Sequence, residues 1–388
     1  MKKLSIITSA LIAGQLSAAS VGAEEVSKAE FEALKQELQS LNEKLEMTAE
    51  MIDQSSSGDS AMSRTSIGGY GEMHYNNLSN QKSGGEDKKE IDLHRAILFI
   101  GHEYNNKIRF WSELEVEHSK VDKSGGEVAM EQAYIEIDVH ENASVKTGIF
   151  LVPAGIINET HEPNTFYGVE RNPVEKNIIP TTWREGGVAV SGRITPAVAY
   201  DVAVHSGLAA STDSSYKVRS GRKNVRQAPA NDLAYTGRIK WTGVPGLELA
   251  ATLQYQSDVT QSIDADAGSA ILTEAHAVFN KGPYGMRALY AMWSLDGDGP
   301  KAKGADEQSG WYIEPSYRIS PEWGVFARYN SWDNAAGNSA DSEYVQVDAG
   351  VNYWPHPNVV FKADYQRQAT PDGENNYDGF NLGVGYQF

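Results

Sequence analysis

An all-β fold is what the 388-residue sequence predicts: a sixteen-stranded antiparallel transmembrane β-barrel preceded by a short N-terminal coiled-coil helix. Three observations predict it. The chain opens like an exported protein, period-2 segments run from about residue 65 to the C-terminus, and the links between them alternate between short and long. The last nine residues show the pattern. Phe380, Leu382, Val384, Tyr386 and Phe388 fall on one strand face, and Asn381, Gly383, Gly385 and Gln387 on the other. Such a strand has one apolar and one polar face, and a closed barrel turns the apolar one to lipid.

The elements follow in order. Lys2 and Lys3, the apolar stretch from Leu4 to about Ala19, and the small residues Val21-Gly22-Ala23 form a signal peptide over residues 1–23. Ser27-Lys28-Ala29-Glu30 is a capping box. Phe31, Leu34, Leu38, Leu41, Leu45, Thr48 and Ile52 then step by three and four, the seam of a coiled coil, so residues 24–54 are expected to form a periplasmic helix. A helix this short is marginal alone in water; it either self-associates within an oligomer or lies on its own barrel. The Ser-rich residues 55–64 read as a linker.

From residue 65 to 388 the connections give the topology. Short turns stand at Asn105-Asn106, His140 to Ala143, Thr195-Pro196, Gly243 to Gly246, Lys281 to Tyr284, Ser320 to Trp323 and Pro355 to Asn358. Longer polar links alternate with them at about 78–89, 120–127, 153–183, 208–231, 257–270, 296–309, 333–343 and 368–377. Fifteen connections join sixteen strands, with both ends of the barrel on the short-turn side, as an outer-membrane barrel requires. A sheet of that many strands needs closure to remove its edges.

Bulk properties exclude several classes. No run of some 18 apolar residues exists, so no spanning helix is available. The mean hydropathy of −0.46 is compatible with a barrel, half of whose strand residues face a wet interior. Without cysteine there is neither a disulfide framework nor a thiolate metal site. A net charge of −18 argues against a nucleic-acid partner.

The strand alternation assigns a lumen face. In the third strand Ile108, Phe110, Leu114 and Val116 take the lipid side, leaving Arg109, Trp111, Glu113, Glu115 and Glu117 inward. A Lys or Arg on the lipid side costs about 2–4 kcal/mol near the midplane. The same logic turns Arg238 and Lys240 inward, opposite Leu233, Tyr235, Ile239 and Trp241. It also turns in Arg318 beside Glu314, Arg328 with Asn330, and Lys362 with Asp364; Arg287 is added from a strand apolar on both faces. A lumen with both signs of charge fits a water-filled channel with a transverse field, or a plugged barrel whose charges pair. Sixteen strands enclose more space than side chains fill, so water or a folded-in loop occupies it.

Residues 153–183 supply such a loop. Ile156, Ile157, Phe166, Tyr167, Ile178, Ile179 and Trp183 need burial and stand beside His161, Glu162, Glu170, Arg171, Glu175 and Lys176. The loop is expected to enter the barrel as a constriction; the alternative is an outward cap or a contact between protomers. The basic residues Lys217, Arg219, Arg222, Lys223 and Arg226 could gather anions at the mouth, bind lipopolysaccharide phosphates, or simply be solvated.

No catalytic constellation, cofactor motif or metal motif is expected. There is no Gly-x-Ser-x-Gly elbow. Glu159-Thr160-His161-Glu162 lacks the second histidine of a zinc helix. The triplet Glu113, Glu115 and Glu117 points one way along a strand without enclosing an ion.

Several segments together resemble the phosphate-selective porin O and P family. They are Ile91-Asp92-Leu93-His94-Arg95-Ala96, Phe110-Trp111-Ser112-Glu113-Leu114-Glu115 and Glu131-Gln132-Ala133-Tyr134-Ile135-Glu136. Val145-Lys146-Thr147-Gly148-Ile149-Phe150-Leu151-Val152-Pro153-Ala154-Gly155, Val325-Phe326-Ala327-Arg328-Tyr329 and Val351-Asn352-Tyr353-Trp354-Pro355 continue the series. The resemblance implies a homotrimeric outer-membrane porin for small hydrophilic solutes, anions preferred, in contact with outer-membrane lipid and lipopolysaccharide. The ending on Tyr386 and Phe388 resembles the signal read by the outer-membrane assembly machinery. The family's arginine ladder does not map onto Arg109, Arg238 and Arg328, which are scattered among Glu113, Glu115 and Glu117. A structural or adhesive barrel without an open channel, and a barrel enzyme, are the alternative functions.

Overall fold

A computed structural model describes residues 64–123 and 125–388. The expected signal peptide, the coiled-coil helix and all of the linker but its last residue lie outside the described residues. The remainder is one closed antiparallel barrel of sixteen strands, each paired with its sequence neighbours. Ring closure is made by β1 (Thr65–Asn80) and β16 (Tyr377–Gln387), in a register running from Tyr70↔Gln387 to Asn80↔Tyr377. The last residue extends that ladder, because Phe388 N donates to Gly69 O at 2.9 Å and Gly69 N donates to Phe388 O at 3.0 Å.

Between them lie β2 (Lys88–Asn105), β3 (Ile108–Asp122), β4 (Gly125–His140), β5 (Ala143–Leu151), β6 (Arg184–Thr195), β7 (Val198–His205) and β8 (Ala234–Val244). The series continues through β9 (Leu247–Gln256), β10 (Ala270–Lys281), β11 (Tyr284–Leu295), β12 (Glu307–Arg318), β13 (Trp323–Asp333), β14 (Tyr344–His356) and β15 (Val359–Ala369). Backbone groups find partners only in neighbouring strands, and closure leaves no open edge in lipid.

Side-chain alternation sets the two faces. On β8, Tyr235, Ile239 and Trp241 are exposed outward while Thr236 and Arg238 are buried inward. On β16 the outward residues are Phe380, Leu382 and Tyr386, followed by the exposed Phe388, with Asn381 buried on the other face. Near the short turns, outward aromatics pair as Tyr284–Tyr317 and Trp323–Tyr353, with ring centroids 5.3 and 4.4 Å apart. These amphipathic rings form a segment of an aromatic girdle.

Two departures from the sequence reading concern the β1–β4 wall. The link at 120–127 is a tight turn, because β3 and β4 stay strands as far as Asp122 and from Gly125, with Asp122 opposite Gly125. A strand that projects beyond lipid needs no apolar face, so its polar residues looked like a loop. Bulges also reset the alternation. His94 is the extra residue between the pairs Glu72↔Arg95 and Met73↔Leu93, and Glu131 that between Glu113↔Gln132 and Leu114↔Met130. An inserted residue re-aims the side chains around it.

Candidate functional site

The interior is organised by residues 153–183. Their apolar side chains Val174, Ile178, Ile179 and Trp183 are fully buried, packed with Leu208, Tyr216 and Val218 against Leu272, Leu289, Ala291, Trp293 and Tyr312 on the inner face of β10–β12. This is why β11 is apolar on both faces: its inward residues meet the loop, and Trp293 Nε1 donates to Ile178 O at 2.9 Å. At one end Gly155 takes φ +76°, and a Cβ there would stand 2.5 Å from Glu175 Oε2, so only glycine fits the turn.

Polar contacts tie the same segment to strands around the ring. Lys362 Nζ on β15 donates to Gly168 O at 2.8 Å and lies over the Phe166 ring, while Asp364 accepts from Val169 N at 2.6 Å. Arg287 on β11 donates to Thr165 O at 2.6 Å. Arg328 on β13 is held by Asp348 at 3.0 Å and Glu314 at 3.1 Å, and reaches Tyr167 O at 3.4 Å. Arg238 on β8 is paired with Asp201 at 2.7 Å and with Glu159. His74 and Asn76 on β1 meet Glu170 Oε1 at 3.1 and 3.2 Å.

The loop's own charged residues divide into two groups. Glu175 is fully buried: its Oε2 accepts from Ile156 N and Ile157 N, both at 2.7 Å, and its Oε1 accepts from Tyr312 Oη at 2.7 Å. Burial pushes its carboxyl above the usual range despite these bonds. His161 is also buried, with Nδ1 at 3.0 Å from Asn158 O and Nε2 at 3.2 Å from Glu131 and 3.7 Å from Glu113. Burial opposes its charge, but Glu131 and Glu113 prevail and hold the imidazole protonated well above its ordinary value. Glu162 uses its backbone carbonyl to close a turn with Thr165 N at 3.0 Å. By contrast, Glu170, Arg171 and Lys176 face a cavity of about 560 Å³.

That cavity separates the loop from the β1–β4 wall. Glu72, Glu115, Glu117, Glu127 and Glu131 line it from the wall, and Arg171, Lys176, Arg184, Arg219 and Arg222 from the loop side. Arg219 and Arg222 come from residues 208–231, which turn inward over the first loop. Arg219 Nη1 donates to Lys176 O and Thr181 O, both at 2.8 Å, and Arg222 Nη1 to Thr182 O at 2.8 Å and Pro180 O at 3.1 Å. These two arginines are thus packed on the loop backbone and are not solvated residues of an outer rim. Burial and then the neighbouring Arg222 push Arg219 down to about 9. Arg184, at the start of β6, reaches Glu131 at 3.4 Å. Buried donors Arg171 Nε and Nη2, Arg184 Nε and Arg222 Nε have no protein partner.

The other residues singled out from the sequence lie elsewhere on the inner face. Arg109 is bidentate to Asp138, at 2.5 and 2.8 Å, near the Asn105-Asn106 turn. Trp111 packs on Phe99, ring centroids 5.5 Å apart, and Lys240 is half-buried near the short-turn end. Arg318 is not Glu314's partner. Its guanidinium lies 3.6 Å over the Trp354 ring, and Arg328 takes the carboxylate instead. Glu72, His74, His94, Arg95 and Arg184 also line the cavity without having been singled out from the sequence; the outward Met73 gives the phase for Glu72 and His74, whereas the bulge at His94 hides Arg95 from alternation.

Comparisons agree with this architecture. Residues 66–388 match the family model described as phosphate-selective porin O and P. An uncharacterized protein of Aquifex aeolicus (strain VF5) is 31% identical over 357 residues, covering 83% of this chain and 80% of its own length. Among solved structures, the outer-membrane channel DcaP of Acinetobacter baumannii superposes with a TM-score of 0.59 at 15% identity, over 84% of this chain and 97% of its own. The anion-selective porin from Comamonas acidovorans gives 0.58 at 12% identity, over 84% and 99%. Salmonella typhi OmpF, in complex with daunomycin, gives 0.60 at 13% identity, over 84% and 97%. At these identities the solved structures share the fold.

Proposed function

Because the chain belongs to the phosphate-selective porin O and P family, we propose that it is an outer-membrane channel for passive diffusion of small hydrophilic solutes and ions, with residues 153–183 as its constriction. One observation carries the reading. The loop is bonded to inward residues of β1, β8, β11, β13 and β15, yet a charged cavity stays open between it and the β1–β4 wall. Arg171, Arg184, Arg219 and Arg222 face a wall on which Glu72, Glu115, Glu117, Glu127 and Glu131 outnumber Lys88 and Arg95, which sets a field across the path; charge at a constriction, not net charge, governs selectivity.

Arg171, Arg184, Arg219 and Arg222 favour anions, phosphate included. Arginine presents a planar fork that matches oxyanions, and four of the donors in this patch lack a protein partner. The anion-selective character of the Comamonas acidovorans porin is in keeping with that preference. Pore-lining roles extend to Glu115, Glu117, Glu170 and Lys176, while Arg109, Arg238, Arg287, Arg328, Lys362 and Asp364 anchor or flank the path.

The remaining assignments follow the family. The outward apolar faces contact outer-membrane lipid, with lipopolysaccharide at the loop end, and the assembly is a homotrimer; in-vitro folded OmpT of Vibrio cholerae has a trimer form. Residues 1–23 direct export, residues 24–54 form a periplasmic coiled coil, and Tyr386 with Phe388 is the signal read by the assembly machinery. The test is reconstitution in planar bilayers with reversal potentials in a KCl gradient and competition by phosphate. Anion-selective steps blocked by phosphate are expected. Cation preference would refute the anion assignment, and a silent barrel would favour a structural or adhesive role.

A further inference from the structure

A trio of metal-ligating side chains stands at the cavity, apart from the arginine patch. His74 on β1, His94 at the β2 bulge and Glu170 of the loop each offer a ligand atom within 4.8 Å of the others. We propose that His74, His94 and Glu170 bind a zinc-class divalent cation that bridges the barrel wall to residues 153–183.

The donor set is chemically apt. Two imidazoles and one carboxylate suit zinc, leaving a fourth position for water or a passing anion. Ligand atoms about 2.0–2.2 Å from a tetrahedral ion lie roughly 3.3 Å from one another. His74 Nδ1 and Glu170 Oε1 are already 3.1 Å apart, so only His94 has to move. It is free to do so: it is the inserted residue of the bulge, its side chain is 36% exposed, and it faces the cavity. Its ring stacks on His74 with centroids 4.5 Å apart.

The surroundings match how bound histidines are held. A ligating imidazole gives its other nitrogen to a carboxylate, which fixes ring orientation. His74 Nε2 lies 3.3 Å from Glu72, whose other oxygen is anchored by Arg95 at 2.6 Å. His94 Nδ1 lies 3.5 Å from Asp92. Asn76 donates to Glu170 at 3.2 Å and orients the third ligand. In a second trio, Glu113, Glu131 and His161, all three side chains are buried and the carboxylates are already engaged, Glu131 by His161 at 3.2 Å and Arg184 at 3.4 Å and Glu113 by Gln132 at 2.6 Å.

Binding would pin the loop to the wall across the proposed path, so zinc should lower the current; that consequence rests on the channel reading, whereas binding itself does not. The test is calorimetric titration of the full-length, detergent-solubilised protein with zinc chloride at neutral pH. A single ion per chain is expected, lost in both His94→Ala and Glu170→Gln and retained in His102→Ala, a half-buried histidine outside the cavity. No binding, or binding retained in His94→Ala and Glu170→Gln, overturns the site. In parallel bilayer recordings, zinc should reduce the wild-type current, reversibly with EDTA, and leave His94→Ala unaffected. Zinc binding by a protein that forms no channel would leave the site standing and refute the channel reading.

Discussion

Replacing Glu175 by alanine tests how the loop is held. The carboxylate accepts from Ile156 N, Ile157 N and Tyr312 Oη, all at 2.7 Å, within a fully buried environment. Alanine leaves two backbone N–H groups and a phenol without their acceptor, at about 1–3 kcal/mol each. Against this stands relief of the carboxyl's own burial, the cause of its raised pKa. A net local loss of about 3 kcal/mol follows, or roughly a hundredfold more frequent opening of the segment around Gly155 to Ile157. Complete release is not expected, because Ile178, Ile179 and Trp183 remain buried and contribute about 1.5–3 kcal/mol apiece. Single-channel recordings should therefore show added flicker with the main conductance level kept. Glu175→Gln, which keeps one acceptor for the two backbone donors, should lie between wild type and alanine. Open-channel noise unchanged in Glu175→Ala would refute the reasoning.

Other perturbations have equally definite outcomes. Gly155→Ala forces a Cβ into φ +76° and to 2.5 Å from Glu175 Oε2, so it should reproduce or exceed the flicker of Glu175→Ala in the same recordings. Arg184→Ala should shift the reversal potential in a KCl gradient toward cations, since it removes a partly unpartnered guanidinium among Glu115, Glu127 and Glu131. Because His161's pKa is raised in the folded state, its stabilisation is complete below about 6.5 and is lost as pH rises through the folded value. Channel noise should then grow with alkaline pH in wild type and stay flat in His161→Gln. Deleting Phe388 removes two backbone bonds to Gly69 and an exposed aromatic, and should cut the inserted fraction, measured by heat-modifiable gel mobility, far more than the conductance of what inserts. Ile239→Arg, outward at mid-strand on β8, should destabilise the barrel by about 2–4 kcal/mol in urea unfolding from vesicles.

The barrel was legible because lipid imposes a simple rule on each strand. Tyr235, Ile239 and Trp241 against Arg238 and Lys240 give the faces of β8 without further information, and link lengths give the count. Alternation does not carry through where the rule is interrupted, on β2 and β4. His94 and Glu131 are bulge residues, and a single insertion flips the side of every residue beyond it. β11 could not be read from alternation, because Leu289, Ala291 and Trp293 face a loop more than a hundred residues earlier and not water. The roles of Arg219 and Arg222 stayed open in the sequence because their partners are backbone carbonyls about forty positions away, which leave no mark in it. Arg318 and Glu314 share a face, yet the nearer guanidinium in space belongs to Arg328 on the adjacent strand.

Narrowing of an open channel by residues 153–183 is measured most directly by the single-channel conductance of wild type beside a variant lacking residues 160–178. Ohmic wild-type steps and a several-fold larger step in the deletion are the predicted result. Equal conductance in the two proteins, or a correctly folded wild-type barrel that passes no current, would contradict it.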